Sequence, residues 1–295
     1  MDPQEYYLAQ SPITDPGQYS ALLDDLPSDL VALCRVVQGL VIHHLDGARL
    51  FGYTVPRERL GELETCLVEE MLRRICDLDE RPLTHERPPE RRLAGCCRDF
   101  ATLFCSLARH KGIPARVRSG FVRYFDAAFN YDHMLVECWD AAQERWLLVD
   151  PEMSPCHVEA FAVPFHPHDI PRGEFIGGGQ AWTMCRGGEE KPEDFGLAPQ
   201  SDRKGWWHVR DRLVRDLAAH NRSELLLWDT WGLMEREAGK DELALLDEVA
   251  WLTEASDSAF EHVRLIYEDE GSLKVPPVVN RHSPAVGLHQ VALDS

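Results

Sequence analysis

Gly95-Cys96-Cys97-Arg98-Asp99-Phe100-Ala101 opens a stretch that continues through His110-Lys111-Gly112-Ile113-Pro114-Ala115-Arg116 and Asp132-His133-Met134-Leu135-Val136-Glu137 to Arg145-Trp146-Leu147-Leu148-Val149-Asp150-Pro151. From Cys97 onward Phe100, Leu103, Phe104 and Leu107 recur at helical spacing, and Gly112 with Pro114 supplies a stop. After Pro114 the period changes to two. Residues 115–122, 132–140 and 145–150 then read as strands, with 140–144 as the short turn between the last two. A helix followed by neighbouring antiparallel strands is an α+β arrangement.

The same stretch supplies, in chain order, a thiol at a helix start, a histidine in a strand and an aspartate at a strand end. Thiolate is the working form of a nucleophilic cysteine, whose ordinary pKa is about 8.5. The first turn of a helix favours an anion. Residues 86–124 also hold nine Lys/Arg against three Asp/Glu, in a chain of net charge −19. That basic run reads as a solvated face with salt bridges that also raises the potential near the thiol. Antiparallel neighbours can bring His133 near Asp150, which would fix the imidazole tautomer while the other ring nitrogen faces the thiol. Cys97, His133 and Asp150 are therefore the candidate catalytic residues. Cys96 competes with Cys97, and register with Gly95 favours Cys97.

Gly-x-Cys-Arg-Asp-Phe-Ala, Gly-Ile-Pro-Ala-Arg, His-x-x-Val-Glu and Trp-x-x-x-Asp-Pro, in this order over residues 90–153, resemble the transglutaminase-like superfamily of papain-related thiol enzymes. The resemblance implies a catalytic helix packed on an antiparallel sheet and an acyl-thioester intermediate made from an amide or ester. Cys97 matches the nucleophile, His133 the base and Asp150 the orienting acid. Arg98, Asp99 and Arg116 match structural positions. The backbone N–H of Cys97 is a candidate oxyanion donor; the second donor is unassigned, because no tryptophan precedes Trp139. The expected activity is cleavage or transfer of an amide-type acyl group, with hydrolysis preferred, on a peptide, protein or small-molecule substrate. Two other readings stay open. One is arylamine N-acetyltransferase-like transfer, whose Arg-Gly-Gly-x-Cys signature is replaced here by Leu93-Ala94-Gly95-Cys96-Cys97. The other is a non-catalytic scaffold of the same fold.

The chain has 295 residues, 44% of them hydrophobic, enough for a sizeable core. Nine cysteines without a regular framework point to free thiols in a reducing cytoplasm, and the absence of Cys-x-x-Cys argues against structural zinc. The acidic start Met-Asp-Pro-Gln-Glu does not resemble a signal peptide, and no apolar run reaches membrane length. The negative balance disfavours nucleic acid and anionic membranes as partners. No calcium loop is recognisable, so neither cofactor nor metal is expected. Oligomeric state is not legible.

Four segments are expected: an N-terminal helical segment over 1–85, a transglutaminase-like catalytic core over 86–155, a loop-rich segment over 156–205, and a helical C-terminal extension over 206–295. Helices are expected at 28–45 with Ser28 as cap, at 56–78, and at 206–220, 223–237, 240–254 and 256–268. The tail 271–295 reads as loosely ordered. His43-His44 reads as a surface or interface pair rather than a ligand set. His157, His166 and His168 read as polar lining or surface. Gly177-Gly178-Gly179 with Trp182 could form a covering loop. Trp206, Trp207, Trp228, Trp231 and Trp251 read as core.

Overall fold

The computed structural model describes residues 2–293. The chain divides into two compact units, the first formed by residues up to Val117 with Leu135–Ile170 and Ser283–Val286, the second by Arg118–Met134, Pro171–His282 and the residues from Gly287. No helix among the described residues is long and apolar enough to cross a membrane.

In the first unit the elements are α1 (Pro3–Leu8), α2 (Leu30–Leu40), β1 (Val41–His43), α3 (Gly47–Phe51), α4 (Val68–Leu78), β2 (Leu93–Gly95) and α5 (Cys97–His110). The start of β3 (Ala115–Val122), the end of β4 (Asn130–Asp140), β5 (Arg145–Val149) and α6 (Pro155–Ala160) complete it. Helices α1, α2 and α4 and strands β1 and β2 pack around α5, whose Leu103, Phe104 and Leu107 are fully buried. That is the outcome expected of an apolar stripe at helical spacing. Cys105 Sγ and Arg109 Nε both donate to Ala115 O, at 3.4 and 3.0 Å, which lays α5 against the first residue of β3. Strands β4 and β5 pair antiparallel from Asp140↔Arg145 to Val136↔Val149.

Two expected helices of this unit are shorter than their apolar patterns. The one expected over 28–45 starts after Asp29, whose side chain accepts from Ala32 N at 2.8 Å, and ends at Leu40. Asp29, not Ser28, is the cap. Val41-Ile42-His43 leaves the helix to pair in parallel with Leu93-Ala94-Gly95, where β-branched residues are at home. The stretch expected as one helix over 56–78 is a 3₁₀ segment, Arg57–Glu64, followed by α4.

The second unit contains the end of β3, the start of β4, β6 (Phe175–Gly177), α7 (Gly178–Gly187), β7 (Phe195–Gly196), α8 (Trp206–His220), β8 (Asp229–Thr230), α9 (Lys240–Glu254), α10 (Phe260–Asp269), β9 (Val278–Ser283) and β10 (Gly287–Ala292). Helices α7, α8, α9 and α10 pack on one another. Phe175–Gly177 pairs antiparallel with Gly120–Val122, and Phe195-Gly196 pairs in parallel with Asn130-Tyr131. Gly120 permits a close crossing, since a Cβ there would stand 2.2 Å from Ile176 O. The order within the main sheet is β5-β4-β3-β6 with β7 on β4, so the fold is the mixed helix and antiparallel-sheet class expected.

Several expectations for this half are corrected. Residues 223–237 are not a helix: Arg222 has φ 57°, and Gly232, at φ 52°, passes so close to Ser272 that a Cβ would meet its carbonyl. The tail is not loose over 278–292, where β9 and β10 join β8 in the order β10-β9-β8. Gly178 and Gly179 are not a loop but the buried first turn of α7, and Trp182 is buried with Nε1 donating to Asp247 at 2.7 Å. Trp228 and Trp231 are core, whereas Trp206, Trp207 and Trp251 are 44%, 44% and 66% exposed.

Candidate active site

Cys97 is the first residue of α5, and Cys96, with extended backbone, is its N-cap. Asp99 reaches back to accept from Cys96 N at 2.8 Å, closing the first turn as a capping box does. Arg98, buried beside it, holds the Asp99 carboxylate at 3.1 Å and spends its remaining donors on the carbonyls of Thr65 and Cys66, at 3.4 and 2.7 Å. The family-matched positions Arg98 and Asp99 thus fix the helix start. Gly95 is required for it: a Cβ there would lie 2.9 Å from Asp99 Oδ2 and 3.0 Å from Val41 Cγ1. Burial pushes the Asp99 carboxyl up, opposed by Arg98 and by the Cys96 N–H.

Cys96 and Cys97 are adjacent thiols at the start of α5. The hydrogen bond of Cys96 with Cys97, then burial, then the nearby Asp99 charge push the Cys96 thiol well above the ordinary thiol range. Cys97 is buried to 6% exposure in the first turn of the helix, where the helix dipole favours an anion. None of the nine cysteines forms a disulfide.

His133 sits in the second-unit part of β4 at 2% exposure. Phe125 and Tyr124 meet its ring edge-on at 5.2 and 6.2 Å. The side chain of the preceding residue, Asp132, is 6% exposed and lies 2.8 Å from Arg212 and 3.2 Å from His208. Burial alone would raise the Asp132 carboxyl, but Arg212 and His208 outweigh it and lower it to about 2. Neither the two aromatic walls nor this carboxylate was singled out from the sequence. The signal was local, since all three lie within nine residues of His133.

Asp150 is completely buried immediately after β5. Its backbone N–H donates to Pro167 O at 2.8 Å, and its Oδ1 accepts from Glu152 N at 3.0 Å. Gln38 of α2 donates to Pro151 O at 3.1 Å. With Val136 opposite Val149, the ladder sets Asp150 one step beyond, at the register position of Leu135. Cys97 and Asp150 belong to the first unit and His133 to the second.

The basic run is not a solvated face. Arg87, Arg98 and Arg116 are essentially fully buried. Arg116 pairs with Glu137 at 2.7 Å and lies 4.4 Å over Trp146, while Arg118 pairs with Asp216 at 2.9 Å. These guanidiniums serve carboxylates, ring faces and carbonyls. His157 is likewise structural, bonded through Nδ1 to Ser154 Oγ at 2.8 Å.

Residues 66–151 match the model of the transglutaminase-like superfamily, which brackets Cys97, His133 and Asp150. This segment is a transglutaminase-like core. No curated protein matches the chain. Among solved structures, a cysteine protease candidate from Cytophaga hutchinsonii is similar at 18% identity and a TM-score of 0.33, over 50% of this chain and 41% of that one. The present chain therefore spans well under half of that neighbour, and a likeness this slight bears on no residue.

Proposed function

We propose that the transglutaminase-like core is a cysteine enzyme that cleaves an amide-type acyl group, with Cys97 as nucleophile, His133 as base and Asp150 as the group that orients His133. The observation that carries this reading is the placement of Cys97 at the first position of α5, inside a stretch matching the superfamily. The His133 imidazole takes the thiol proton, and the thiolate attacks the carbonyl carbon. The oxyanion forms beside the backbone N–H of Cys97 at the helix terminus. Collapse expels the amine, which takes the proton from the imidazolium, and leaves the acyl group as a thioester. Water, deprotonated by the same imidazole, attacks the thioester and releases a carboxylic acid and the thiol. An amine in place of water gives transfer through the same intermediate. The aromatic walls at His133 limit water around the imidazole, and Asp150 would stabilise its charged form.

The test is the pH dependence of iodoacetamide labelling, mapped by mass spectrometry, in wild type and in Cys97→Ala, Cys96→Ala and His133→Ala. This reading expects fast labelling at Cys97 with an apparent pKa well below 8, retained in Cys96→Ala and lost in His133→Ala. Labelling at the ordinary thiol pKa would overturn it and favour a non-catalytic scaffold. Amide substrates offered with and without added primary amine then separate hydrolysis from transfer.

A further inference from the structure

Outside the proposed catalytic groups, the first unit gathers one imidazole and two carboxylates at a single point. His43, Asp46 and Glu152 each offer a ligand atom, and these atoms lie within 4.8 Å of one another. We propose that they form a binding site for a first-row divalent transition-metal ion.

The geometry and donor chemistry support this class. Ligands about 2.0–2.2 Å from a common ion stand roughly 3–3.5 Å apart, so side-chain adjustments of about 1 Å complete the set. One nitrogen and two carboxylate oxygens suit Zn²⁺, Mn²⁺ or Co²⁺; calcium takes oxygen ligands almost exclusively. With the imidazole neutral, as a metal requires, the three residues carry two negative charges, which a divalent ion balances. The ligands are unequally rigid. Glu152 is only 4% exposed, with His157 Nε2 at 3.9 Å from its Oε1. The side chains of His43 and Asp46 are 13% and 36% exposed, which leaves a path from solvent.

The placement of these ligands gives the site a consequence. His43 ends β1 directly opposite Gly95, the residue before the two thiols. Asp46 precedes α3, which packs on α6, and Glu152 lies between Asp150 and α6. Glu152 N already donates to Asp150 Oδ1. A bound ion would therefore join the strand beside the nucleophile's helix to the segment that carries Asp150. The site is independent of the catalytic reading, because its ligands are none of the three catalytic candidates.

The test is Mn²⁺ binding to metal-free protein, followed by equilibrium dialysis and by electron paramagnetic resonance. Mn²⁺ is the probe because thiolates, abundant here, bind it poorly. Wild type is compared with Asp46→Asn, Glu152→Gln and, as a control histidine in β10, His289→Ala. One saturable equivalent, weakened at least about tenfold in Asp46→Asn and Glu152→Gln and unchanged in His289→Ala, is expected. Mn²⁺ should also raise the melting temperature of wild type and not of Asp46→Asn. The absence of saturable binding, or binding that Asp46→Asn leaves unchanged, would overturn the proposal. Asp46 is partly exposed, so that variant decides the matter even if Glu152→Gln fails to fold.

Discussion

Helices α5 and α8 are of nearly equal length and both buried, yet they hold their charges differently. On α5 the charges sit at the ends, and Arg98 shares its donors between Asp99 and two carbonyls. On α8, Asp211, Arg212, Arg215 and Asp216 lie buried mid-helix. Asp216 answers to Arg118, whose Nε and Nη2 stand 3.1 and 2.9 Å away, and Arg212 answers to Asp132. Arg212 Nε and Nη1 have no hydrogen-bond partner among the described residues. Arg98 in the first unit thus bonds two carbonyls besides its carboxylate, while Arg118 in the second meets carboxylates, Asp216 at 2.9 Å and Glu254 at 3.5 Å. A buried charge that loses its sole partner costs far more than one that keeps others.

The sharpest way to break this comparison is to remove one carboxylate from each helix and measure urea unfolding. Asp216→Ala takes the Asp216 carboxylate from Arg118, leaving Glu254 at 3.5 Å, and also deprives Ser119 N–H of its acceptor at 2.8 Å. A loss of about 3–5 kcal/mol is expected. Asp99→Ala should cost less, about 1–3 kcal/mol, because Arg98 retains the carbonyls of Thr65 and Cys66. Equal losses would show that the redundancy at α5 has no energetic meaning.

Within the second unit, pH separates two buried carboxyls. Asp132 is held at about 2, below its ordinary value of 3.8, so its contribution is present above pH 4 and is lost as pH falls toward 2. Burial raises Asp211 to about 6 against the pull of Arg210. Its contribution has the opposite sign: present below pH 4, and lost as pH rises through 6. The stability of Asp211→Asn relative to wild type should therefore increase between pH 4 and pH 7. A flat difference across that range would sink the assignment.

Smaller effects probe the helix start and the surface. Gly95→Ala forces a methyl against Asp99 and Val41 and should cost about 1–3 kcal/mol while loosening the Cys96 cap. Leu288→Ser, on a β10 side chain 67% exposed, should change stability by less than about 0.5 kcal/mol. A larger loss there would mean that the hairpin bears on something beyond its own surface.

What the sequence made legible followed the same division. The helix of Cys97 and strands 115–122, 132–140 and 145–150 emerged within two residues, because the apolar positions keep a helical period up to Pro114 and a period of two after it. The bounds of α8 were legible, but the burial of Arg212 and Asp216 was not, because their partners Asp132 and Arg118 lie far upstream in the chain. Strand β9 failed for a related reason. Its inward side chains are Val279, Arg281 and Ser283, so the buried face shows no apolar alternation. Arg281 is there for Asp229, at 2.6 Å. The candidate residues, and the supports Arg98 and Asp99, came from motif order, but Tyr124, Phe125 and Asp132 around His133 did not. His43, Asp46 and Glu152 are more than a hundred residues apart in part, and no local pattern joins them.

The parallel pair β1–β2 has a further consequence for how this core can be inherited or transplanted. Strand β1 and helix α2 precede the matched stretch 66–151, yet β1 covers the edge of β2, and α2 packs on α5 and reaches Pro151. A graft of 66–151 alone would carry Cys97 without the strand that pairs with β2 or the helix that packs on α5. The smallest portable version of this site begins upstream of Asp29, and any recombination boundary drawn between that residue and Cys66 severs it.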